Sequence, residues 1–205
     1  MISQLILWRH GQTDLNKQRR LQGASDYPLN DSGRAQARSA AKKIAALGPT
    51  VIVSSNLVRA YDTATALASV TNQEIHVDPR VQERSFGSWE GMTVDEIAAV
   101  DPEGLTLWRN GREPGGDVET REHCGQRFAA AIADWGNRFL EMGVEDGVLV
   151  VVSHGGAISN GVMTMLGVNP SLAQPLAGLD NCHWAVLSPQ ANRTPVWRLN
   201  GYNIS

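Results

Sequence analysis

Arg9-His10-Gly11 and Ser153-His154-Gly155-Gly156 each place a histidine just after an apolar run, Leu5–Trp8 in the first case and Val148–Val152 in the second. A run that short, stopped by polar residues and glycine, reads as a buried strand delivering side chains to its carboxyl end. Val51–Ser55 is a third such run, and Arg59 falls in the first turns of the helix expected after it. Ligands of a doubly wound sheet bind outside the carboxyl ends of its strands. Arg9, His10, Arg59 and His154 are therefore expected around one point. Arginine's planar fork grips phosphate oxygens in pairs, and helix N-termini add N–H donors with a favourable dipole. The ligand that suits these residue types is a phosphoryl group. Positive surroundings depress an imidazole pKa, so His10 is expected to be neutral near pH 7 with one nitrogen free to attack phosphorus. The product of that attack is a phosphohistidine. A lone histidine at a strand end is ordinarily a satisfied polar residue, but two such ends with Arg59 in matching context favour a shared anion site.

The elements that must position these groups follow from the intervening sequence. Asn30-Asp31-Ser32-Gly33 opens a helix from Arg34 to about Leu47, which Gly48-Pro49 ends. Asn56 is expected to cap a second helix, Leu57 to about Val70, and Glu74–Asp78 reads as a third strand. This β-α-β-α-β rhythm is that of a parallel sheet covered by helices. From Pro79 to Thr120 the pattern loosens into a short helix near Thr93–Val100 and the turns Asn110-Gly111 and Pro114-Gly115-Gly116. An insertion without a strand of its own reads as a lid or substrate wall. A long helix from about Glu119 to Met142 follows, and Gly155–Leu166 is expected to be helical after the Val148–Val152 strand. Trp184–Leu187 and Val196–Leu199 read as a closing pair of strands, one antiparallel to the rest. The expected fold is a single α/β domain over residues 1–205, a three-layer α/β/α arrangement with a mostly parallel sheet and residues 79–120 as the insertion.

A formal net charge of -3 argues against a general electrostatic grip on nucleic acid or an anionic membrane. The first apolar run is interrupted by Arg9 with no basic leader before it, so neither a signal peptide nor a membrane span is expected. Two cysteines are too few for a secreted disulfide framework, and cytoplasm is the expected compartment. His123-Cys124 and Cys182-His183 invite a zinc reading. Adjacent side chains diverge by roughly 100° to 180°, however, so both members of a pair can hardly face one ion.

Four ordered blocks carry a resemblance. Arg9-His10-Gly11-Gln12-Thr13 with Asn16, Gln22-Gly23, Pro28-Leu29 and Gly33 resembles the opening signature of the histidine phosphatase, or phosphoglycerate mutase-like, superfamily. Ser54-Ser55-x-Leu57-x-Arg59-Ala60, Glu83-x-x-Phe86-Gly87-x-Trp89-Glu90-Gly91 and Ser153-His154-Gly155-Gly156 look like its other blocks. The resemblance implies that His10 is the phosphorylated nucleophile, that Arg9, Arg59 and His154 form the phosphate pocket, and that Glu83 is the general acid. Asn16, Gln22, Gly23 and Gly155 are then the substrate-contacting positions. It implies no cofactor and no metal, since arginines and a second histidine supply the charge stabilisation. The implied partner is a small phosphorylated molecule, and a homodimer is implied as well.

Mutases of this superfamily carry a longer insertion with more basic residues. Here the stretch from Thr93 to Thr120 holds only Arg109 and Arg112, which favours hydrolysis. Gly11–Asp14, Ser55–Ala64, Leu107-Trp108-Arg109 and Trp197-Arg198-Leu199 look similar to actinobacterial phosphatases acting on glucosyl-3-phosphoglycerate, implying a phosphorylated sugar acid as substrate. The alternatives are a broad-specificity phosphatase, a cofactor-dependent phosphoglycerate mutase, and a phospho-ligand binding module without turnover. Many family phosphatases have Gly-Gly-Glu-Ser before the long helix, where this chain has Gly115-Gly116-Asp117-Val118, with Asp117 as a carboxylate near the pocket. Trp89 and Trp108 are candidate pocket walls or, equally, buried structural aromatics, and Arg20, Arg109 and Arg112 are candidates to reach a substrate carboxylate or else solvated surface residues, the reading favoured for Arg112.

Overall fold

Alternation along the strands divides the molecule into layers. In β1 (Ile2–Arg9), Leu5 and Leu7 face one side of the sheet while Ile6 and Trp8 face the other. The computed structural model, which describes residues 1–205, repeats the pattern in β2 (Pro49–Ser54) and β4 (Gly147–Ser153). β3 (Ile75–Val77), β5 (Trp184–Pro189) and β6 (Trp197–Ile204) complete a six-stranded sheet of order β3-β2-β4-β1-β5-β6. Only β5 runs against the others, pairing antiparallel with both β1 and β6. One face is covered by α2 (Asp31–Ala45) and α3 (Val58–Thr71), whose alanines allow close approach. The other is covered by α6 (Arg121–Glu141) and α7 (Gly155–Met165), which bury Phe128, Trp135 and Phe139 against the sheet. The three-layer α/β/α fold with one antiparallel strand is as expected.

Register decides function. Parallel pairing sets Arg9 opposite Ser153, so the residues that follow, His10 and His154, leave adjacent strands side by side. The opposition of Ser54 and Val152 brings Ser55 to the same edge.

Several local expectations change. Asn56 does not cap α3: Leu57 holds the N-cap position, and the free donor of Val58 is satisfied by the Asp26 carboxylate at 2.8 Å, from a loop 32 residues earlier. That long-range cap has no local signature. A short helix α1 (Asp14–Lys17) is closed by a reciprocal Thr13–Asn16 capping box, which fixes Asn16. The insertion holds α4 (Val94–Val100) and a helix the sequence reading missed, α5 (Pro102–Arg109), begun by Asp101 and Pro102. β6 runs to Ile204 because irregular pairing with β5 breaks the period on which a strand's limits are read. No helix is long and apolar enough to cross a membrane.

The loop after β1 and the first turn of α2 touch backbone to backbone. A Cβ on Gly33 would overlap the Gln12 carbonyl, and one on Gly11 would overlap that of Gly33. Gly33→Ala is expected to destabilise the fold by about 1–3 kcal/mol, because backbone cannot rotate away as a side chain can. Urea unfolding measures the loss, and an unchanged midpoint would mean the loop adapts freely.

Candidate active site

His10 is 2% exposed, and Arg59 and His154 are fully buried. The His10 Nδ1–H donates to the Gly11 carbonyl at 2.7 Å, which leaves the lone pair on Nε2. His10 is held by its backbone too: its N–H donates to Ser153 and its carbonyl accepts from Cys182 N and from the Asn181 side chain. The His154 ring centroid lies 5.1 Å away. His154 Nε2 pairs with the Ser55 hydroxyl at 2.9 Å, and Ser55 Oγ also accepts from Leu57 N. His154 Nδ1, the other ring nitrogen, is buried and has no partner in the protein.

The arginines have a similar surplus. Arg59 donates from both terminal nitrogens to backbone carbonyls, Nη1 to Ser25 at 2.8 Å and Nη2 to Gly23 at 2.7 Å, while Nε is buried without a partner. Arg9 donates to the Leu179 carbonyl, and its Nε is likewise unpartnered. Two buried guanidinium donors with no protein acceptor, beside the unpartnered Nδ1 of His154, describe an anion site.

Burial and charge act together on these groups. Burial pulls Arg59 down to about 10, partly opposed by Glu83 and Asp26, and it remains protonated at neutral pH. His10 and His154 are both held well below the ordinary imidazole range, by burial first and then by the Arg59 guanidinium. Both rings are therefore neutral in the fold and gain protons on unfolding below pH ~6.5. The unfolded chain binds more protons there, so stability falls as pH drops below that value, by up to ~1.4 kcal/mol per pH unit for each ring. Urea midpoints at about pH 7.5 and about pH 5.5, where ordinary carboxylates are still ionised, are expected to show the decline, with a shallower one in His10→Gln. Equal slopes in both proteins would deny that His10 is neutral when folded.

A cleft of about 250 Å³ opens over this cluster. Arg9, His10, Arg59 and Glu83 line it, as do Asn16, Gln22, Gly23 and Gly155, while His154 lies beneath. All nine expected site residues thus meet. Asn16 Oδ1 accepts from Thr13 N and Asn181, and Gln22 Oε1 accepts from the Thr13 hydroxyl. With both amide oxygens occupied, the amide NH₂ groups are the free ends, suited to an anion. Glu83 is moored at the start of α7: Oε1 accepts from Arg84 N and Ala157 N, both at 2.8 Å, and Oε2 from Gly156 N at 3.1 Å. Oε2 carries fewer of these bonds and is the oxygen with room for a proton.

The family model of the histidine phosphatase superfamily (branch 1) matches residues 5–204. The chain belongs to that superfamily. It is 34% identical to the glucosyl-3-phosphoglycerate phosphatase of Mycolicibacterium vanbaalenii, over 100% of this chain and 96% of that protein. It is also 38% identical to a probable phosphoglycerate mutase of an Enterobacter species, over 98% and 90% of the two chains. A solved mycobacterial glucosyl-3-phosphoglycerate phosphatase in complex with VO3 superposes with a TM-score of 0.89 at 34% identity, covering 99% of this chain and 100% of that one.

In this histidine phosphatase the insertion is a packed body. Trp89, Ile97, Leu105 and Val118 form its own core, Trp89 bonds Asp101 through Nε1, and the Trp89 and Trp108 rings meet edge-on at 6.3 Å. Neither tryptophan lines the cleft; Phe86 does. Asp117 is exposed and binds Ser88 through N–H and hydroxyl, so it holds the wall's own turn and does not face the pocket. Its short stem reaches the neighbouring turn and no farther. Arg109 and Arg112 are exposed and away from the cleft, whereas Arg20 lines it. Cys124 and Cys182 are buried in the cores on opposite faces of the sheet.

Four supporting residues were absent from the expected site. Ser55 orients His154, and Asn181 ties His10 to Asn16. Thr63 accepts from Gly11 N and donates to the Arg59 carbonyl. Glu90 accepts from Ala24 N, Ser25 N and Phe86 N, joining the wall to the loop that Arg59 grips. Burial opposes ionisation of Glu90, but the Ser25 hydroxyl and those N–H donors outweigh it and hold its carboxyl below the usual range. Ser55 is legible as a strand-end hydroxyl; Asn181 lies in an aperiodic loop and carries no signal.

Proposed function

We propose that this protein is a metal-independent phosphomonoesterase acting through phospho-His10 on a phosphorylated sugar acid, such as glucosyl-3-phosphoglycerate. The observation that carries the reading is the tautomer of His10: Nδ1 is committed to Gly11, so a neutral Nε2 nucleophile stands beside the buried, unpartnered Nε groups of Arg9 and Arg59 and the unpartnered Nδ1 of His154. His10 Nε2 attacks phosphorus as the ester P–O bond breaks, and Glu83 gives its proton to the leaving oxygen. Water then attacks the phosphohistidine, returns a proton to Glu83, and inorganic phosphate departs. Arg9, Arg59 and His154 hold the equatorial oxygens throughout, with Asn16, Gln22 and the backbone at Gly23 and Gly155 lining the approach. Residues 79–120 wall the cleft within a single domain. Glucosyl-3-phosphoglycerate is supported by the full-length similarity to two phosphatases named for it.

Rapid quenching with labelled substrate is expected to trap acid-labile, base-stable phosphate on the wild type and none on His10→Ala. A fully active His10→Ala enzyme would sink the mechanism. The likeness to a probable phosphoglycerate mutase supports a second reading. Interconversion of 2- and 3-phosphoglycerate, primed by the bisphosphate and outrunning phosphate release, would establish the mutase instead. A cytoplasmic location and a homodimer remain parts of the proposal, tested by fractionation and light scattering.

A further inference from the structure

The cleft is lined by three cations, Arg9, Arg59 and Arg20. The first two are committed at its floor, where their unpartnered Nε groups accompany the two histidines. Arg20 stands at the mouth, its side chain about a third exposed at 32%. It makes four hydrogen bonds: Nε to Gln18 at 3.2 Å, Nη1 to the Gly91 carbonyl at 2.7 Å and to Glu96 at 2.6 Å, and Nη2 to Glu96 at 3.1 Å. A guanidinium has five donors, so one N–H on Nη2 is unspent. Its place is fixed independently of Glu96: Arg20 N donates to Leu15, Leu21 pairs with Gly91 and Met92, and Arg20 bridges to Thr93. Glu96 is half exposed, at 49%, and an ion pair in water is worth little. Exchanging it for another carboxylate, or adding one on the unspent donor, therefore costs little.

We infer that Arg20 is a specificity residue that receives the carboxylate of a phosphorylated acid once its phosphate is seated between Arg9 and Arg59. The inference rests on the phosphatase reading and names what selects an acid over a neutral phosphate ester. The alternative role is structural, a latch in which Arg20 merely ties the loop after α1 to α4 through Glu96. The two roles differ in what removal of Glu96 does. A latch fails when either partner is lost, whereas a carboxylate receptor is freed when its internal counterion goes.

3-Phosphoglycerate and glycerol 3-phosphate differ only in bearing a carboxylate or a hydroxymethyl group, so the ratio of their kcat/KM values reports acid recognition. Arg20→Gln is expected to lower that ratio at least ~10-fold, through the KM for the acid, and Arg20→Lys to restore part of it. Glu96→Gln is expected to raise the wild-type ratio. A folded Arg20→Gln with the wild-type ratio overturns the proposal; should Arg20→Gln not fold, Glu96→Gln carries the test alone, a raised ratio supporting the proposal and an unchanged or lowered one overturning it. A ratio that falls in Glu96→Gln as it does in Arg20→Gln establishes the latch and overturns the proposal. So does a wild type with no preference for the acid, an outcome that leaves phosphohistidine trapping, and the reading it tests, intact.

Discussion

His10→Ala is expected to lower kcat/KM on a phosphorylated sugar acid by about 10⁴-fold or more, equivalent to about 5–6 kcal/mol of transition-state stabilisation. The loss is that large because nothing in the cleft can take over the attack. His154 is the other imidazole, but it is fully buried, is absent from the cleft lining and has its Nε2 engaged by Ser55. Water must then attack the ester directly, without the covalent intermediate that divides one difficult step into two. The pocket itself survives the change, since Arg9, Arg59 and His154 are held by groups other than the His10 ring. Inorganic phosphate is accordingly expected to bind His10→Ala within a few-fold of its wild-type affinity, measured by titration calorimetry. Loss of both binding and turnover would mean that the substitution has collapsed the site, and the kinetic result could not then be assigned to a missing nucleophile.

Glu83→Gln is expected to cost about 10²–10⁴-fold on a substrate with an alkoxide leaving group, and far less on p-nitrophenyl phosphate, whose phenolate leaves without help. The ratio between the two substrates is the informative quantity. The amide introduced by Glu83→Gln would present an NH₂ to one of the backbone donors that now bind the carboxylate, Gly156 N or Ala157 N, and so loosen the side chain's mooring for every substrate alike. A general displacement lowers both rates together, whereas loss of proton donation separates them. Equal losses on the two substrates would remove Glu83 from the acid's role and leave it a structural ligand of the α7 N-terminus.

How much of this was legible before the fold was seen differs by scale. The strands bearing His10 and His154 are announced by apolar runs broken at Arg9 and Ser153, and parallel order then brings the two rings together. Arg59 could be placed because helix α3 begins within a turn of its strand. What was not legible depends on contacts between distant segments. The cap of α3 comes from Asp26, and Glu90 reaches back to Ala24 and Ser25. Asn181 acts on His10 from 171 residues away. In each case a polar side chain satisfies a backbone group to which it has no periodic relation. Asp117 and Trp89 differ in the opposite sense: their residue types suit a pocket, but Asp117 is spent on the exposed turn at Ser88, and Trp89 takes the buried structural role in a small core. Arg20 was one of three basic candidates in the sequence, and only its position at the cleft mouth separates it from Arg109 and Arg112.

The packed insertion has a practical reach beyond catalysis. Its ties to the rest of the chain are many: Arg127 to the carbonyls of Arg80, Gln82 and Glu83, Glu83 to the start of α7, Leu21 with Gly91 and Met92, Arg20 with Glu96, Glu90 with Ala24 and Ser25, and Glu113 with Arg121 and Ser171. Residues 86–118 bury their own apolar side chains and contribute Phe86 to the cleft, while Glu83, which also lines it, lies just before them. A graft among relatives that leaves Glu83 with the recipient and exchanges residues 86–118 must therefore carry the partners that dock them, Arg20 and Leu21 for Gly91 to Glu96 and Ser171 for Glu113.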